Sequence, residues 1–302
     1  MFPGKDGTRR QRVATLWELQ GRMGTMYLYL VDEVNPEYAE GKFFLLGGLV
    51  FTDEQIPRVD AAVKARREAA GYKNGDSFKF HTRSYPKHVS QEDFRDAKAG
   101  LLEDLAEIGV RFIATVVLHD IAANDHSKLM SWGLPNIGEA YRRLLIQDKA
   151  QGMMLMDRDT KQFDLMANFH QHGFKYPSGG TTQVQDKIVL FGMTNNNASH
   201  LSSATDIAMG AFNFCVEAAL GHAKEEIAVG MFRSFREMFW METSATGSRR
   251  ALGYGYLPSP RPDRVLSTAY KAQYTTVGEG LWRFSKAARE LSEAEQRPGT
   301  EA

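Results

Sequence analysis

The stretch Met-Tyr-Leu-Tyr-Leu-Val-Asp-Glu, residues 26–33, is an apolar strand sequence that ends in two adjacent carboxylates, Asp32 and Glu33. A second apolar segment, residues 42–51, follows after a turn. Its Gly47 and Gly48 permit a bulge or the close approach of another backbone. The two segments therefore predict a β-hairpin that presents acidic side chains at a strand end.

Predicted strands and helices alternate along the chain beyond this hairpin. The predicted strands cover residues 77–81, 110–118, 153–157 and 185–191, the predicted helices cover 53–70, 90–108, 137–150, 161–170 and 200–223, and a turn is predicted at 195–197. A loop is predicted between 118 and 137, and its His119, Asp120, Asp125 and His126 are interpreted as a surface turn. A hairpin followed by α/β crossovers favours one mixed sheet with helices on both faces.

Composition excludes several classes of protein. The 302 residues contain 37 Lys and Arg against 37 Asp and Glu, so the net charge is zero and names no partner. The one cysteine, Cys215, lies in an apolar run, which excludes a disulfide framework and predicts a buried thiol. No apolar stretch approaches the roughly 20 residues that span a bilayer. We therefore expect a cytoplasmic protein without a membrane partner.

The chain is predicted to have three regions. Residues 1–25 carry five Lys and Arg against two Asp and Glu, a net charge of +3, and are interpreted as a flexible basic arm. A phosphate-contacting tail, or an extension upstream of a start at Met23 or Met26, is the alternative. Residues 26–223 form the predicted α/β domain, and residues 224–302 form an extension packed on it.

The extension, predicted to be mostly helical or irregular, mixes aromatic and basic residues. Between positions 230 and 289 it has ten Lys and Arg against four Asp and Glu, a net charge of +6. Bases stack on aromatic rings and arginines pair with phosphates, so this region is a candidate platform for single-stranded nucleic acid. The alternative is that the aromatic residues form the core of a helical subdomain. The basic residues expected to be exposed are Arg249, Arg250, Arg261 and Arg264.

Two further acids stand in settings that resemble the first strand end. Asp157 ends the segment 153–157, and Asp206 lies in an apolar helix, where a buried acid needs a partner. Mg²⁺ and Mn²⁺ prefer oxygen ligands, and convergent carboxylates on strand ends hold such ions while leaving them open to substrate. Asp159 also fits this description. Alternatively, each acid caps an element or is solvated.

Five short motifs together resemble the bacterial and phage family called domain of unknown function 3800, over residues 26–220. The motifs are Val-Asp32-Glu33-Val34, the strand Phe44–Phe51, Phe80-His81, Leu-Met-Asp157, and Leu201-Ser-Ser-Ala-Thr-Asp206-Ile-Ala. The resemblance implies a ribonuclease-H-like fold, whose relatives are metal-dependent nucleases and transferases.

This chain departs from the family pattern at three positions. The family usually has serine where this chain has Val34, and glutamine where it has Ser203. It commonly has glutamate where Lys79 stands, two residues before His81. An altered or inactive site is therefore an open alternative.

The leading hypothesis is a Mg²⁺- or Mn²⁺-dependent nuclease in which Asp32, Asp157 and Asp206 hold metal, assisted by Glu33 and His81. Lys79, on the same strand face as His81, would neutralise a phosphate or replace the charge of a missing metal. His81 would move a proton, bind metal or contact phosphate, or is simply a hydrogen-bonded strand histidine. The alternatives are a non-catalytic module that binds nucleic acid or protein, or an enzyme acting on another phosphate-containing substrate. Neither a P-loop nor a GxGxxG fingerprint is present.

Overall fold

The computed structural model describes residues 25–83, 85–123, 125–157, 160–175, 180–195 and 199–295. Several sequence predictions concern residues outside these ranges: the basic arm before Thr25, Asp159, the turn residues Asn196 and Asn197, and residues 296–302 at the end of the predicted extension.

The centre of the fold is a six-stranded mixed sheet. Its strands are β1 Met26–Val34, β2 Phe43–Thr52, β3 Arg111–Leu118, β4 Gln151–Asp157, β7 Ile188–Thr194 and β10 Tyr256–Ser259, in the order β10-β3-β2-β1-β4-β7. β2 is antiparallel to β1 and β3, whereas β4 is parallel to β1 and β7, and β10 is parallel to β3. Two small antiparallel pairs are separate from this sheet: β5 Phe174–Lys175 with β6 Thr181–Thr182, and β8 Glu242–Thr243 with β9 Arg249–Arg250.

Eight α-helices are present in the described residues. They are α1 Gln55–Ala69, α2 Gln91–Ile108, α3 His119–Ala122, α4 His126–Gln147, α5 Thr160–His172, α6 His200–Ala219, α7 Glu225–Met238 and α8 Thr268–Glu295. The predicted mixed α/β sheet with an N-terminal hairpin is confirmed. None of the described helices is long and apolar enough to cross a membrane.

Alternation along β1 divides the core into two faces. Leu30 packs in a cluster with side chains of α1, α2, α6, α7 and α8, which we call the first face. Tyr27, Tyr29 and Val31 pack with side chains of α4 on the opposite, second face. Successive strand residues point to opposite sides of a sheet, so a single strand supplies both clusters. Helices therefore cover both faces, as predicted.

Local signals explain the helix ends that the sequence predicted correctly. The Ser90 hydroxyl accepts from the Asp93 backbone N–H at 3.0 Å and donates to the Asp93 carboxylate at 2.6 Å, which caps α2. The helix ends at Gly109, whose φ of 82° is the left-handed conformation that glycine adopts without strain. Cys215 is buried on α6, as expected.

Three element predictions are wrong. Residues 77–81 do not form a strand, because the Phe80 backbone bonds to side chains instead of a neighbouring strand. The predicted loop 119–136 is largely helical: α4 already begins at His126 and contains Pro135, since Asp125 caps it and its apolar side chains are buried. The strand predicted at 185–191 is observed three residues later, as β7.

The C-terminal region contributes to the main sheet as well as to the helical layer. β10 pairs in parallel with β3, Tyr256 opposite Ala114, and the sequence did not predict this strand. Phe235, Tyr274 and Phe284 are completely or almost completely buried in the first-face cluster. Most aromatic side chains of this region are therefore core, whereas Trp282 is 68% exposed.

Candidate carboxylate site at the sheet edge

Two acidic side chains lie near the C-terminal ends of neighbouring parallel strands: Asp157 is the last residue of β4, and Asp32 is two residues before the end of β1. Val31 of β1 lies opposite Met156 of β4, so Asp32 and Asp157 occupy the next position of the register. Leu30 and Leu155, two residues earlier on each strand, pack on the first face. Residues two apart in a strand share a face, so Asp32 and Asp157 also point to the first face. The parallel pairing therefore brings Asp32 and Asp157 to the same edge and the same side of the sheet.

Asp32 and Asp157 line a common small cavity. Thr194 and Asn195, at the end of β7, and Thr205 of α6 complete much of its wall. Its volume is about 20 Å³, and roughly 10–15 Å³ suffices for one water molecule. The cavity therefore has room for a single water-sized particle between the strand ends and α6.

A glycine in β2 lets the helix that carries Asp206 approach the sheet. A Cβ atom on Gly48 would overlap the Leu30 carbonyl oxygen and lie 2.9 Å from the Thr205 Cγ2. The close backbone approach predicted for this glycine is therefore confirmed. Its effect is to seat the turn of α6 that contains Thr205 and Asp206 directly over β1 and β2.

The segment 77–83 is anchored beside Asp206 by its backbone. The Phe80 N–H donates to the Asp206 Oδ1 at 2.7 Å, and the Lys98 Nζ donates to the Phe80 carbonyl oxygen at 2.9 Å. The Phe80 ring lies against Gly210, one helical turn beyond Asp206, where a Cβ would come within 2.5 Å of the ring Cδ1. Lys79 and His81 are consequently held on either side of an immobilised residue.

The ammonium group of Lys98 is buried between aromatic rings. Lys98 is 8% exposed, and its Nζ lies 4.2 Å from the centroid of the Phe80 ring and 4.0 Å from that of Phe94. Burial lowers the pKa of Lys98 to about 8, opposed by the negative charge of Asp206.

The electrostatics of the site disfavour negative charge on Asp32. Burial and, to a smaller extent, the negative charges of Asp206 and Asp157 raise the pKa of Asp32 to about 7, although the Glu33 N–H and the charge of Lys79 oppose this rise. Burial likewise raises the pKa of Asp206, against the Phe80 N–H and the nearby cations. Carboxylates that repel one another in a partly dry site favour the binding of a cation.

The predicted site residues are only partly brought together. Asp32, Asp157 and Asp206 share one edge of the sheet, and Lys79 acts electrostatically on both Asp32 and Asp206. His81 is exposed and lowers the pKa of Asp206, while its Nδ1 accepts from the Arg83 N–H at 3.0 Å.

Glu33 lies apart from this cavity. Its side chain points to the second face, because neighbouring strand residues point to opposite sides of a sheet, and its Oε2 is 3.4 Å from the His126 Nε2 on α4. The sheet therefore separates the Glu33 side chain from that of Asp32.

The sequence predicted that His119, Asp120, Asp125 and His126 form a surface turn. This prediction is wrong for His119, which is 1% exposed and whose Nε2 lies 2.9 Å from the Asn35 carbonyl oxygen.

The arginines predicted to contact nucleic acid lie in the C-terminal region and do not line the carboxylate cavity. All four are exposed. Arg249 contacts Glu237 at 3.3 Å and Arg250 contacts Glu242 at 2.7 Å, whereas Arg261 precedes a short 3-10 turn and Arg264 is its last residue. A phosphate at Arg249 or Arg250 would share these cations with carboxylates that already hold them.

Three residues that sequence reasoning missed shape the site: Phe80 as a backbone donor, Lys98 as a buried cation, and Gly210 as the space for the Phe80 ring. A glycine in the middle of an apolar helix was an available signal, because it costs stability unless something packs against it. Lys98 also had a signal, because it lies four residues after Phe94 and three before Leu101, on the apolar stripe of α2.

The donor chemistry of the site fits a hard divalent cation. Mg²⁺ is commonly held by one or two carboxylates together with water and substrate phosphates, and Asp32 and Asp157 supply such a pair. Within the described ranges, no group of three or more His, Cys, Asp or Glu side chains is arranged so that it could hold a metal ion. The pair, rather than a closed cage, is therefore the feature that fits.

No protein-family model matches this chain, and neither a curated protein nor a solved structure shows a significant match to it. Interpretation of the site thus depends on its own geometry and chemistry.

Proposed function

We propose that this protein is a Mg²⁺- or Mn²⁺-dependent nuclease, or a related enzyme acting on phosphodiesters. The observation that carries the proposal is the pairing of Asp32 and Asp157, which directly follow the parallel pairing of β1 with β4 and line one small cavity beneath α6. A divalent cation bound there would activate water and stabilise the developing negative charge of the reaction.

The residues around this pair have distinct roles in the proposal. Asp32 and Asp157 bind the cation, and Asp206 adds negative charge beside them while its Oδ1 accepts from the Phe80 N–H. Lys79 neutralises a substrate phosphate near the carboxylates. His81, exposed beside Asp206, exchanges a proton with the attacking or leaving oxygen.

The proposal includes a ribonuclease-H-like fold, and the order of the strands supports it. An antiparallel unit, β1-β2-β3, begins the sheet, and the crossover strands β4 and β7 then add in parallel beside β1. This arrangement agrees with the resemblance to domain of unknown function 3800. Nucleic acid, RNA or DNA, is the substrate that the resemblance favours.

A second candidate function is a non-catalytic module that binds nucleic acid or protein at a degenerate site. The observation that favours it is the positive charge already present: Lys79 lowers the pKa of Asp32, and both Lys79 and Lys98 lower that of Asp206. Cations of the chain itself would then offset the carboxylates without a bound metal.

Cleavage assays with matched variants separate the two candidates. Purified protein would be incubated with single-stranded RNA, single-stranded DNA and an RNA–DNA hybrid, each with Mg²⁺, Mn²⁺ or EDTA. We expect metal-dependent cleavage by the wild type and by Asp96→Asn, a control at an exposed aspartate of α2. Asp32→Asn and Asp157→Asn should lose it. Cleavage that persists in both variants would exclude the proposed site.

Thermal unfolding provides a readout that does not require the correct substrate. A ligand that binds only the folded state stabilises it, by about 2.7 kcal/mol at a concentration of about 100 times Kd. Mn²⁺ should therefore raise the Tm of the wild type and of Asp96→Asn by several degrees, and that of Asp157→Asn much less. Nucleic-acid binding without any effect of Mn²⁺ would favour the non-catalytic module.

A further inference from the structure

A second and larger cavity lies in the C-terminal region, between α7, α8 and the segment that leads into β10. Its volume is about 490 Å³, within the range of roughly 300–1,000 Å³ that is typical of small-molecule sites. Most of its wall is apolar, and includes Phe232, Phe239, Met241, Tyr256, Leu281 and Trp282. We call it the C-terminal pocket.

A helical glycine leaves this pocket open. Gly278 of α8 lines it, and a Cβ atom there would meet nothing within 4 Å. Gly280, two residues later, differs, because its Cβ would lie 2.9 Å from the Cα of Ala219. Glycine costs a helix interior about 1 kcal/mol relative to alanine. At Gly280 the close contact with Ala219 explains why glycine is present despite this cost. At Gly278 no neighbour requires glycine, and the absence of a side chain keeps the pocket open.

One end of the wall carries two arginines that share a carboxylate. Arg236 and Arg249 both line the C-terminal pocket, and they contact the two oxygens of Glu237 at 3.1 and 3.3 Å. Glu237 itself is not among the lining residues. Two arginines that share one carboxylate leave a net charge of +1 at this end of the pocket.

The remaining charges of the wall are Arg250 and Glu279. Arg250 is paired at 2.7 Å with Glu242, which likewise does not line the pocket. When the carboxylates that contact these arginines are counted as well, three arginines against Glu237, Glu242 and Glu279 give zero, so the excess positive charge is confined to the end where Arg236 and Arg249 share Glu237. An apolar cavity with positive charge on its wall is complementary to a molecule that has an apolar body and an anionic group.

We propose that the C-terminal pocket binds an amphipathic small-molecule anion, with its hydrocarbon or aromatic body against the apolar wall and its carboxylate or phosphate at Arg236 and Arg249. Apolar walls favour such a body over a chain of phosphates, because burying unpaired charge is costly. Trp282 lines the pocket although it is 68% exposed, so the pocket opens to solvent beside an aromatic ring.

The test uses the full-length protein and two probes. Fluorescence of 1-anilinonaphthalene-8-sulfonate, an aromatic anion, reports binding, and decanoate competes for it. We expect saturable binding of one probe per chain, and displacement at least about tenfold better by decanoate than by uncharged decanol, since one charged hydrogen bond contributes about 1.5–3 kcal/mol.

Two pairs of variants locate the binding. Gly278→Leu places a side chain in the open space and should abolish it, whereas Gly230→Leu, at an exposed glycine of α7 that also meets nothing within 4 Å, should not. Arg249→Ala should weaken decanoate about tenfold. Arg283→Ala, at an exposed arginine paired with Glu225 and outside the lining, should have no effect. Near-ultraviolet circular dichroism verifies that each variant is folded.

Three results would overturn the proposal: no saturable probe binding by the folded wild type, equal binding by Gly278→Leu and Gly230→Leu, or equal displacement by decanoate and decanol. A further competitor is an eight-residue oligothymidylate. If it displaces the probe better than decanoate does, and loses this ability in Arg249→Ala, the occupant is nucleic acid and the small-molecule assignment is wrong.

Discussion

Replacing Asp32 with asparagine should stabilise the folded protein at neutral and alkaline pH. The pKa of Asp32 is about 7 in the folded state against an ordinary value of 3.8, because burial and the carboxylates of Asp206 and Asp157 disfavour its charge. The folded state therefore holds this proton more tightly than the unfolded state does. Wild-type stability is highest below the ordinary value, falls as the pH rises through about 7, and stays low above it.

The size of the effect follows from the two pKa values. The difference between about 7 and 3.8, at about 1.4 kcal/mol for each pH unit, gives about 4 kcal/mol in favour of the variant at about pH 8. The same relation leaves less than about 1 kcal/mol at about pH 4. Asparagine retains an oxygen that accepts from the Glu33 N–H, so the end of β1 keeps this hydrogen bond.

Urea denaturation in EDTA, at several pH values between about 4 and 8, measures the difference in unfolding free energy. Asp96→Asn, at an exposed position of α2, is the control and should change stability by less than about 0.5 kcal/mol throughout. A raised pKa for Asp32 in the folded state is excluded if Asp32→Asn is no more stable than the wild type at the alkaline end. A difference that does not change with pH would refute it equally.

Three further changes test other parts of the structure. Gly210→Ala forces a Cβ against the Phe80 ring and should cost about 1–3 kcal/mol in urea denaturation, whereas the control Gly230→Ala, at an exposed helical glycine with open space, should stabilise the protein by up to about 1 kcal/mol. Ser90→Ala removes the cap of α2 and should cost about 1 kcal/mol, whereas Ser90→Asp should restore most of it. Glu33→Gln should keep the Mn²⁺-dependent rise in Tm, because Glu33 is on the second face. Loss of that rise would place Glu33 in the carboxylate site.

The hairpin and the acidic strand ends were predictable because their signals are local. A continuous run of apolar residues that ends in Asp32 predicts both a strand and a polar terminus, and a similar run precedes Asp157. The alternation of side chains along a strand also places Asp32 and Glu33 on opposite faces. The sequence thus already separated the Glu33 side chain from that of Asp32, and in the structure Glu33 contacts His126 of α4 on the second face.

Elements that depend on distant partners were not predictable in the same way. The Tyr-Leu-Pro-Ser sequence of β10 contains Pro258, which argues against a strand except at the edge of a sheet, and the edge is where it lies. Residues 77–81 alternate like a strand, but Asp206 and Lys98 take the hydrogen bonds of Phe80. In α4, burial of Leu134 and Ile137 outweighs the helix-breaking tendency of Pro135.

The position of β10 sets the order in which a newly made chain can complete its sheet. Five of the six strands, β1 to β4 and β7, have been synthesised once residue 194 is joined, whereas β10 ends at residue 259, 65 positions later (259 minus 194). Ribosomes add roughly 5–20 residues per second, so the outer backbone groups of β3 await their partner for roughly 3–13 seconds. Throughout that interval β3 is an open edge at which one nascent chain can pair with another.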